Sequence, residues 1–496
     1  MCATAGATAQ SEEPLLLGWY DWEPYQFEKI QGTERVLTGL DIELVRAIAA
    51  GADLELEYEN RGFEEILDGL RNGTIDLTVA YERADRSEYA HHSFPYRIQT
   101  EVMLVRRGEA AAFPTESLSA LINGIQDRKT RIGTVEGFAY GPEDFAAFLE
   151  DPENSEFIVQ SENDREGLQR LIDGEVDAHV TDRMVGTMIA WRNGWLDQIE
   201  EVPIIINQEQ LFVLFSRAST TEEQLTAFND SLVRLRDSGM LDRISRQYLQ
   251  PILIAMTTES NWFLIIDILG TIAFAISGVI LAYTERYSIF GALVLASLPA
   301  VGGGIVRDLL TGRDPVGFVR TPVYALLIFG TVMIGYVIMA AKNLLSSKIK
   351  EFNEQRAQRL QTIGAYVVEF FDCLGLASFT ITGVAVAVST RVDPLWIWGP
   401  VLAALTGAGG GILRDVVRGN VEHSALKESF YPEVAFVWGF ILSMYLEFTG
   451  AELTAGALYY AVVLTMIGAF VTRMMAIFFG WKAPSYSLRR RTAETG

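Results

Sequence analysis

One septet occurs twice in apolar surroundings, GGGIVRD from Gly302 to Asp308 and GGGILRD from Gly409 to Asp415. Upstream of each copy runs the pattern DxLGxxxFxIxGV, from Asp267 to Val279 and again from Asp372 to Val384, so a segment of roughly a hundred residues is present in duplicate. A glycine triplet loosens a helix, and an Arg-Asp pair is costly near hydrocarbon, so both persist in lipid only where they line an enclosed or wet cavity. The alternative for either copy alone is close helix packing, with the charged pair capping a helix end. Two copies in equivalent, glycine-interrupted positions favour a repeat-related path through a membrane.

Charge divides the chain near residue 255. Residues 1–250 hold 46 Asp+Glu against 22 Lys+Arg and the remainder 17 against 18, so the first half accounts for the net charge of -23. So acidic a surface disfavours nucleic acid as a partner. The second half contains long apolar runs near 262–283, 288–310, 322–341, 363–388, 395–417, 431–449 and 455–479, which predict seven spans. Three spans per repeat is an odd number, so the second repeat enters from the opposite side, which predicts two inverted repeats (262–341 and 363–449) and an extra helix at 455–479. Arg286, the stretch from Lys342 to Arg359, Arg418, Lys427, Lys482 and Arg489 to Arg491 fall on one side, against Arg313, Arg320 and Arg391 on the other. The positive-inside bias then places residues 481–496 in the cytoplasm as a basic tail and the first half outside an inner membrane. Residues 1–13 read as a signal remnant or disordered segment, and 251–261 as a linker. Two cysteines, Cys2 and Cys373, give neither a disulfide framework nor a metal cluster, and no metal or cofactor is expected.

From Leu15 to Leu249 short apolar strands alternate with amphipathic helices. Strands are predicted at Leu15 to Trp19, Leu54 to Tyr58 and Ile75 to Ala80, with helices at Leu40 to Ala49 and Phe63 to Gly73. A second unit follows from RIGTV to VDAHVTD, and LFVLFS with the helix from Thr221 to Ser238 returns to the first. This order predicts an α/β domain over 14–250 with two lobes, one at 14–105 and 208–250, the other at 106–207.

The stretches DWEPYQF, GLDIELVRAIA, LRNGTIDLTVA, RADRSEYAHHSFPY, GEVDAHVTD and FNDSLVRLRDSGMLDRISRQYL resemble the periplasmic amino-acid-binding proteins that serve ABC transporters. The resemblance implies the two-lobed periplasmic binding protein fold and a small amino acid in the cleft. Arg86 then clamps the ligand carboxylate, for which a planar bidentate fork is suited. By the same resemblance Asp182 pairs with the ligand ammonium, Trp22 and Tyr25 of the DWEPY turn and Tyr81 line the cleft, and the turn Gly137-Phe138-Ala139 faces the ligand from the second lobe. That turn lacks the small hydroxyl residue usual in the family, which leaves the ligand open. Each residue also has a structural alternative: Arg86 as a surface ion-pair partner, Asp182 as a helix N-cap, Trp22 as a core aromatic.

The duplicated motif and the segment KESFYPEVAFVWG resemble the bacterial relatives of the trimeric intracellular cation channels, a family also labelled glycine transporters. This implies an all-α seven-helix transmembrane domain over 262–480, a homotrimer in lipid, and a pore for monovalent cations in each protomer. Kinks at Gly302, Gly303, Gly304, Gly409, Gly410 and Gly411 shape that pore, with Arg307, Asp308, Arg414 and Asp415 beside them. Asp267 and Asp372 occupy equivalent positions and are expected to pair with Arg307 or Arg414 inside the bundle. No catalytic residues are expected. The reading is a membrane transport protein in which amino-acid binding modulates cation permeation; the alternative is an amino-acid transporter with its binding domain fused to it.

Overall fold

The computed structural model describes residues 13–31, 34–83, 85–136, 138, 140–346, 354–419, 430–449 and 453–481. Gly137, Ala139, Cys2 and the basic residues Lys427, Lys482 and Arg489 to Arg491 lie outside the described residues, as does part of the Lys342 to Arg359 stretch. The chain forms two compact units, residues 1–248 and 249–496.

The strands of the first unit are β1 (Leu15–Trp19), β2 (Phe27–Gln31), β3 (Glu34–Thr38), β4 (Leu56–Asn60), β5 (Leu77–Tyr81), β6 (Ala90–His92), β7 (Arg97–Arg106), β8 (Ile132–Val135), β9 (Ile158–Ser161), β10 (Ala178–Asp182) and β11 (Ile199–Ser216). Its helices are α1 (Leu40–Gly51), α2 (Phe63–Asn72), α3 (Leu118–Arg128), α4 (Glu143–Glu150), α5 (Asp164–Ile172), α6 (Arg183–Arg192) and α7 (Glu222–Asp237). One nine-stranded sheet runs in the order β4-β1-β5-β11-β7-β10-β8-β9, with β6 on β11. The parallel pairs β1–β4, β1–β5, β8–β9 and β8–β10 are the crossover strands expected from the alternating pattern.

Strands β7 and β11 join the two lobes. The end of β11, Leu211 to Phe215, pairs with β5 in the first lobe, whereas Ile199 to Glu201 pairs with Arg106 to Leu104 in the second. Strand β7 pairs with β10 from Glu101 onward. Apolar cores lie on either side, one around Ile66, Leu70 and Leu214, the other around Phe145, Ile132 and Val180. The sequence reading missed the β2–β3 hairpin, and it saw only the apolar end of the eighteen-residue β11, whose middle is polar.

Helix α8 (Met240–Thr258) occupies most of the segment expected as a linker. Pro251 sits within it, and the apolar run that follows continues the helix as far as Thr258. The remaining helices of the second unit are α9 (Asn261–Thr284), α10 (Ile289–Ser297), α11 (Gly303–Leu310), α12 (Gly317–Arg320), α13 (Val323–Ser346), α14 (Glu354–Ser389) and α15 (Leu395–Val417), then helices Pro432–Thr449 and Ala455–Phe478. Among the described residues six helical segments are long and apolar enough to cross a membrane, in place of the seven expected. Helix Pro432–Thr449 is formed but is not one of the six; it is only 18 residues long and carries Glu433 and Glu447.

The two repeats pack through equivalent glycines. Gly270 of α9 and Gly375 of α14 face each other, and a Cβ built on Gly375 would lie 2.9 Å from the Gly270 Cα. Gly278 abuts Leu295 and Ala296, as Gly383 abuts Leu402 and Ala403. Such approaches are how small residues let membrane helices gain dispersion contacts without hydrophobic driving force.

Candidate functional site

The first candidate site is the cleft where β7 and β11 cross between the lobes. The DWEPY turn after β1 brings Trp22 and Tyr25 together, ring centroids 4.8 Å apart, with Tyr20 stacked on Trp22 at 6.0 Å. Tyr25 is buried, and its hydroxyl donates to Asp182 Oδ1 at 2.9 Å, linking the first lobe to the end of β10 in the second. The same Oδ1 accepts from the backbone N–H of Met184 and Val185, each at 2.9 Å, so Asp182 caps α6 as well as facing the cleft. Burial raises the Asp182 carboxyl to about 6 in spite of these donors.

Arg86 opens a single 3-10 turn, Arg86 to Glu88, and is buried. Its Nη1 donates to the Tyr81 carbonyl at 3.0 Å and its guanidinium lies 5.4 Å from the Phe63 ring centroid. Arg86 Nε is buried with no hydrogen-bond partner among the described residues. Burial, then the nearby Arg83, lowers its pKa from the usual arginine value, and an incoming carboxylate would relieve both effects. Phe138 is exposed, and Tyr81 is half-buried at the end of β5.

Three cleft residues escaped the sequence reading. Arg97 forms a bidentate pair with Asp41, Nε to Oδ1 at 2.5 Å and Nη2 to Oδ2 at 2.9 Å. Its guanidinium covers the Tyr25 ring at 3.8 Å, and its Nη1 is buried without a partner. Glu101 is buried in β7, opposite Asp182 on β10 and Asn207 on β11. Burial and then Glu209 raise its carboxyl to about 8. A lone acid within the apolar end of RIQTEVMLVR was the signal available for Glu101.

The second candidate site is the glycine seam of the membrane half. A π-helical turn, Leu298–Gly302, separates α10 from α11 at the first triplet. The second triplet does not break its helix: α15 runs unbroken from Leu395 to Val417. Pro299, which has no N–H to donate, lies in the first turn where the second repeat has Thr406, whereas the middle glycines are alike: a Cβ on Gly303 would lie 2.5 Å from the Leu405 carbonyl oxygen, and one on Gly410 would strike the Leu298 and Pro299 carbonyls. Gly302 and Gly409 are buried near Gly410 and Gly303 respectively, and a Cβ added to either would lie 3.6 Å from the opposite Cα. The third glycines differ: Gly411 has nothing within 4 Å of an added Cβ, and Gly304 only Arg307 Nη2 at 3.6 Å.

The ion pairs also differ from expectation. Arg307 binds its neighbour Asp308, Nε to Oδ1 at 2.9 Å, and Arg414 binds Asp415 at 3.2 Å. Each arginine then reaches into the other repeat, Arg307 to Thr406 Oγ1 at 3.4 Å and Arg414 to Ser277 Oγ at 3.3 Å. Asp267 instead accepts from the Tyr324 hydroxyl at 2.7 Å, and Asp372 from Tyr431 at 3.4 Å. A charge pair formed within one helical turn needs no further burial, and a tyrosine satisfies a carboxylate without adding charge.

Residues 264–340 and 369–447 match the family model described as glycine transporter, and residues 18–251 match the bacterial extracellular solute-binding proteins, family 3. The inner membrane protein YadS of Escherichia coli, a UPF0126 protein, is 30% identical over 224 residues, covering 45% of this chain and 95% of its own. The chain belongs to the UPF0126 membrane protein family. Its UPF0126 part is the second half, and the six apolar helices there make it a multi-pass membrane protein. The first half is similar to a probable amino-acid-binding protein of Bacillus subtilis, YxeM, at 23% identity over 253 residues, 50% of this chain and 88% of that one. A histidine kinase sensor domain similar to periplasmic binding proteins superposes with a TM-score of 0.39 at 20% identity, covering 48% of this chain and 96% of that domain. A solute-binding domain and a UPF0126 membrane domain in one chain make this a membrane transport or channel protein.

Proposed function

We propose that the outer half binds a small amino acid and that this binding governs transport through the UPF0126 half. The observation that carries the reading is a first-lobe Arg86 that is buried with a partnerless Nε and a second-lobe Asp182 whose carboxylate is buried, one group for each end of a zwitterion. The name of YxeM, an amino-acid-binding protein, agrees with it. In the membrane half, the third glycine of each triplet is free of packing duty, so Gly304 and Gly411 are the positions to line a path.

In one form of the reading the bound amino acid modulates permeation of monovalent cations, with backbone carbonyls at the glycine seam replacing part of the ion's water shell. In the other the amino acid itself crosses, which the glycine transporter description of the matching family favours. Inverted repeats, an external first half and a homotrimer belong to this proposal. Proteoliposomes containing the whole chain test it: ion flux that responds to an amino acid which is not itself taken up establishes the first form. Saturable uptake of labelled amino acid without independent current establishes the second, and neither flux nor uptake with any amino acid refutes both.

A further inference from the structure

The cleft holds more acid than a zwitterion requires. Asp182 and the ready donor of Arg86 already match an α-ammonium and an α-carboxylate, and Arg97 is neutralised by Asp41. Glu101 is left over. It is 5% exposed and its Oε2 has no hydrogen-bond partner among the described residues. It stands cross-strand from Asp182, in a strand otherwise built of Val102, Met103, Leu104 and Val105 at that end. A buried carboxylate oxygen without a donor costs free energy unless something arrives to satisfy it. Two partnerless donors, Arg86 Nε and Arg97 Nη1, are each on side chains at least nine-tenths buried, and both arginines act on Tyr20. A polar guest could satisfy such groups.

Resting on the amino-acid reading above, we infer that Glu101 is a specificity-determining residue that selects an amino acid with a cationic side chain, such as lysine or arginine. Asp182 takes the α-ammonium, Arg86 the α-carboxylate, and Glu101 the second positive group from the hinge. The groups that face Glu101 are Glu209 on β11, Asp182 on β10, the Asn207 amide and the Gly141 N–H. The Gly141 N–H and the Asn207 amide favour its ionised form and the two acids oppose it, while Arg97, which acts on Asp182, is already paired with Asp41. Its carboxyl, raised to about 8 by burial and Glu209, therefore ionises as the cation enters and releases a proton at neutral pH.

Calorimetry on the full chain in detergent tests this with L-lysine and L-norleucine, which differ by the terminal ammonium. Lysine is expected to bind at least about 30-fold more tightly, a margin ordinary for one desolvated charge pair. Glu101→Gln should bring that ratio below about threefold while leaving norleucine affinity within a few-fold. Lysine binding should also release a proton at pH 7, read from the dependence of the heat on buffer ionisation enthalpy, and Glu101→Gln should abolish the release. Norleucine binding as tightly as lysine, or an unchanged ratio in Glu101→Gln, overturns the inference alone when Arg86→Ala still abolishes binding. Failure of every amino acid to bind overturns the amino-acid reading and this inference with it.

Discussion

In the proposed amino-acid site, the burial of Arg86 and Asp182 would remove the water that otherwise competes with a ligand for them. Arg86→Ala should weaken a carboxylate ligand by two to three orders of magnitude, or about 3–4 kcal/mol, and unchanged affinity by calorimetry would remove Arg86 from the site. Asp182 makes the binding pH-dependent. Its folded-state carboxyl titrates near 6, above the usual carboxylate range, so the relative stability it contributes is present at low pH and is lost as pH rises through about 6. An ammonium ligand needs the ionised form, so the affinity of norleucine, which leaves Glu101 unengaged, should fall about tenfold per pH unit below 6 and level off above it. Titration of affinity between pH 4.5 and 7.5 checks this, and Asp182→Asn should flatten the profile. Arg86, Asp182, Trp22 and Tyr25 were offered as cleft residues by a family resemblance carried on local motifs. Arg97, Asp41 and Glu101 were not legible, because their partners lie on strands and helices far along the chain and only the fold brings them together.

Elements decide what the glycines do. Within each triplet the middle glycine faces backbone of the other repeat, whereas the third faces open space at Gly411. Gly410→Ala should therefore destabilise the bundle by about 2 kcal/mol or more, since its Cβ meets carbonyl oxygens that cannot step aside. Gly411→Ala should leave thermal stability unchanged or slightly raised, as expected for a helical Gly→Ala without a clash. Thermal unfolding in detergent distinguishes them, and equal destabilisation by the two would contradict the assigned facings. If Gly411 lines the path, its alanine variant should alter flux despite normal stability. The repeat was plain in the sequence, yet the π-turn at Leu298–Gly302 has no counterpart in α15: Pro299, which lacks an N–H, stands in that turn where the second repeat has Thr406.

At the scale of the whole molecule, one chain joins a solute-binding domain to a multi-pass membrane domain, so occupancy of the cleft and activity of the membrane half are measurable in the same preparation. If binding governs transport, Arg86→Ala in proteoliposomes should remove the response to amino acid at concentrations that saturate the unmodified protein. A response of the same size and midpoint would uncouple the two halves. The amino-acid sequence by itself determined the division into an acidic α/β half and an apolar helical half, the internal duplication, and the motif residues of both candidate sites, because periodicity, charge and repeated motifs are local properties of a chain. Only the tertiary structure decided that Asp267 and Asp372 pair with tyrosines, that each arginine binds its neighbouring aspartate while reaching into the other repeat, and that Glu101 stands beside Asp182. Those pairings depend on which distant backbones come within a few ångströms of one another, and side-chain partners in a low-dielectric interior are chosen by that proximity rather than by residue type.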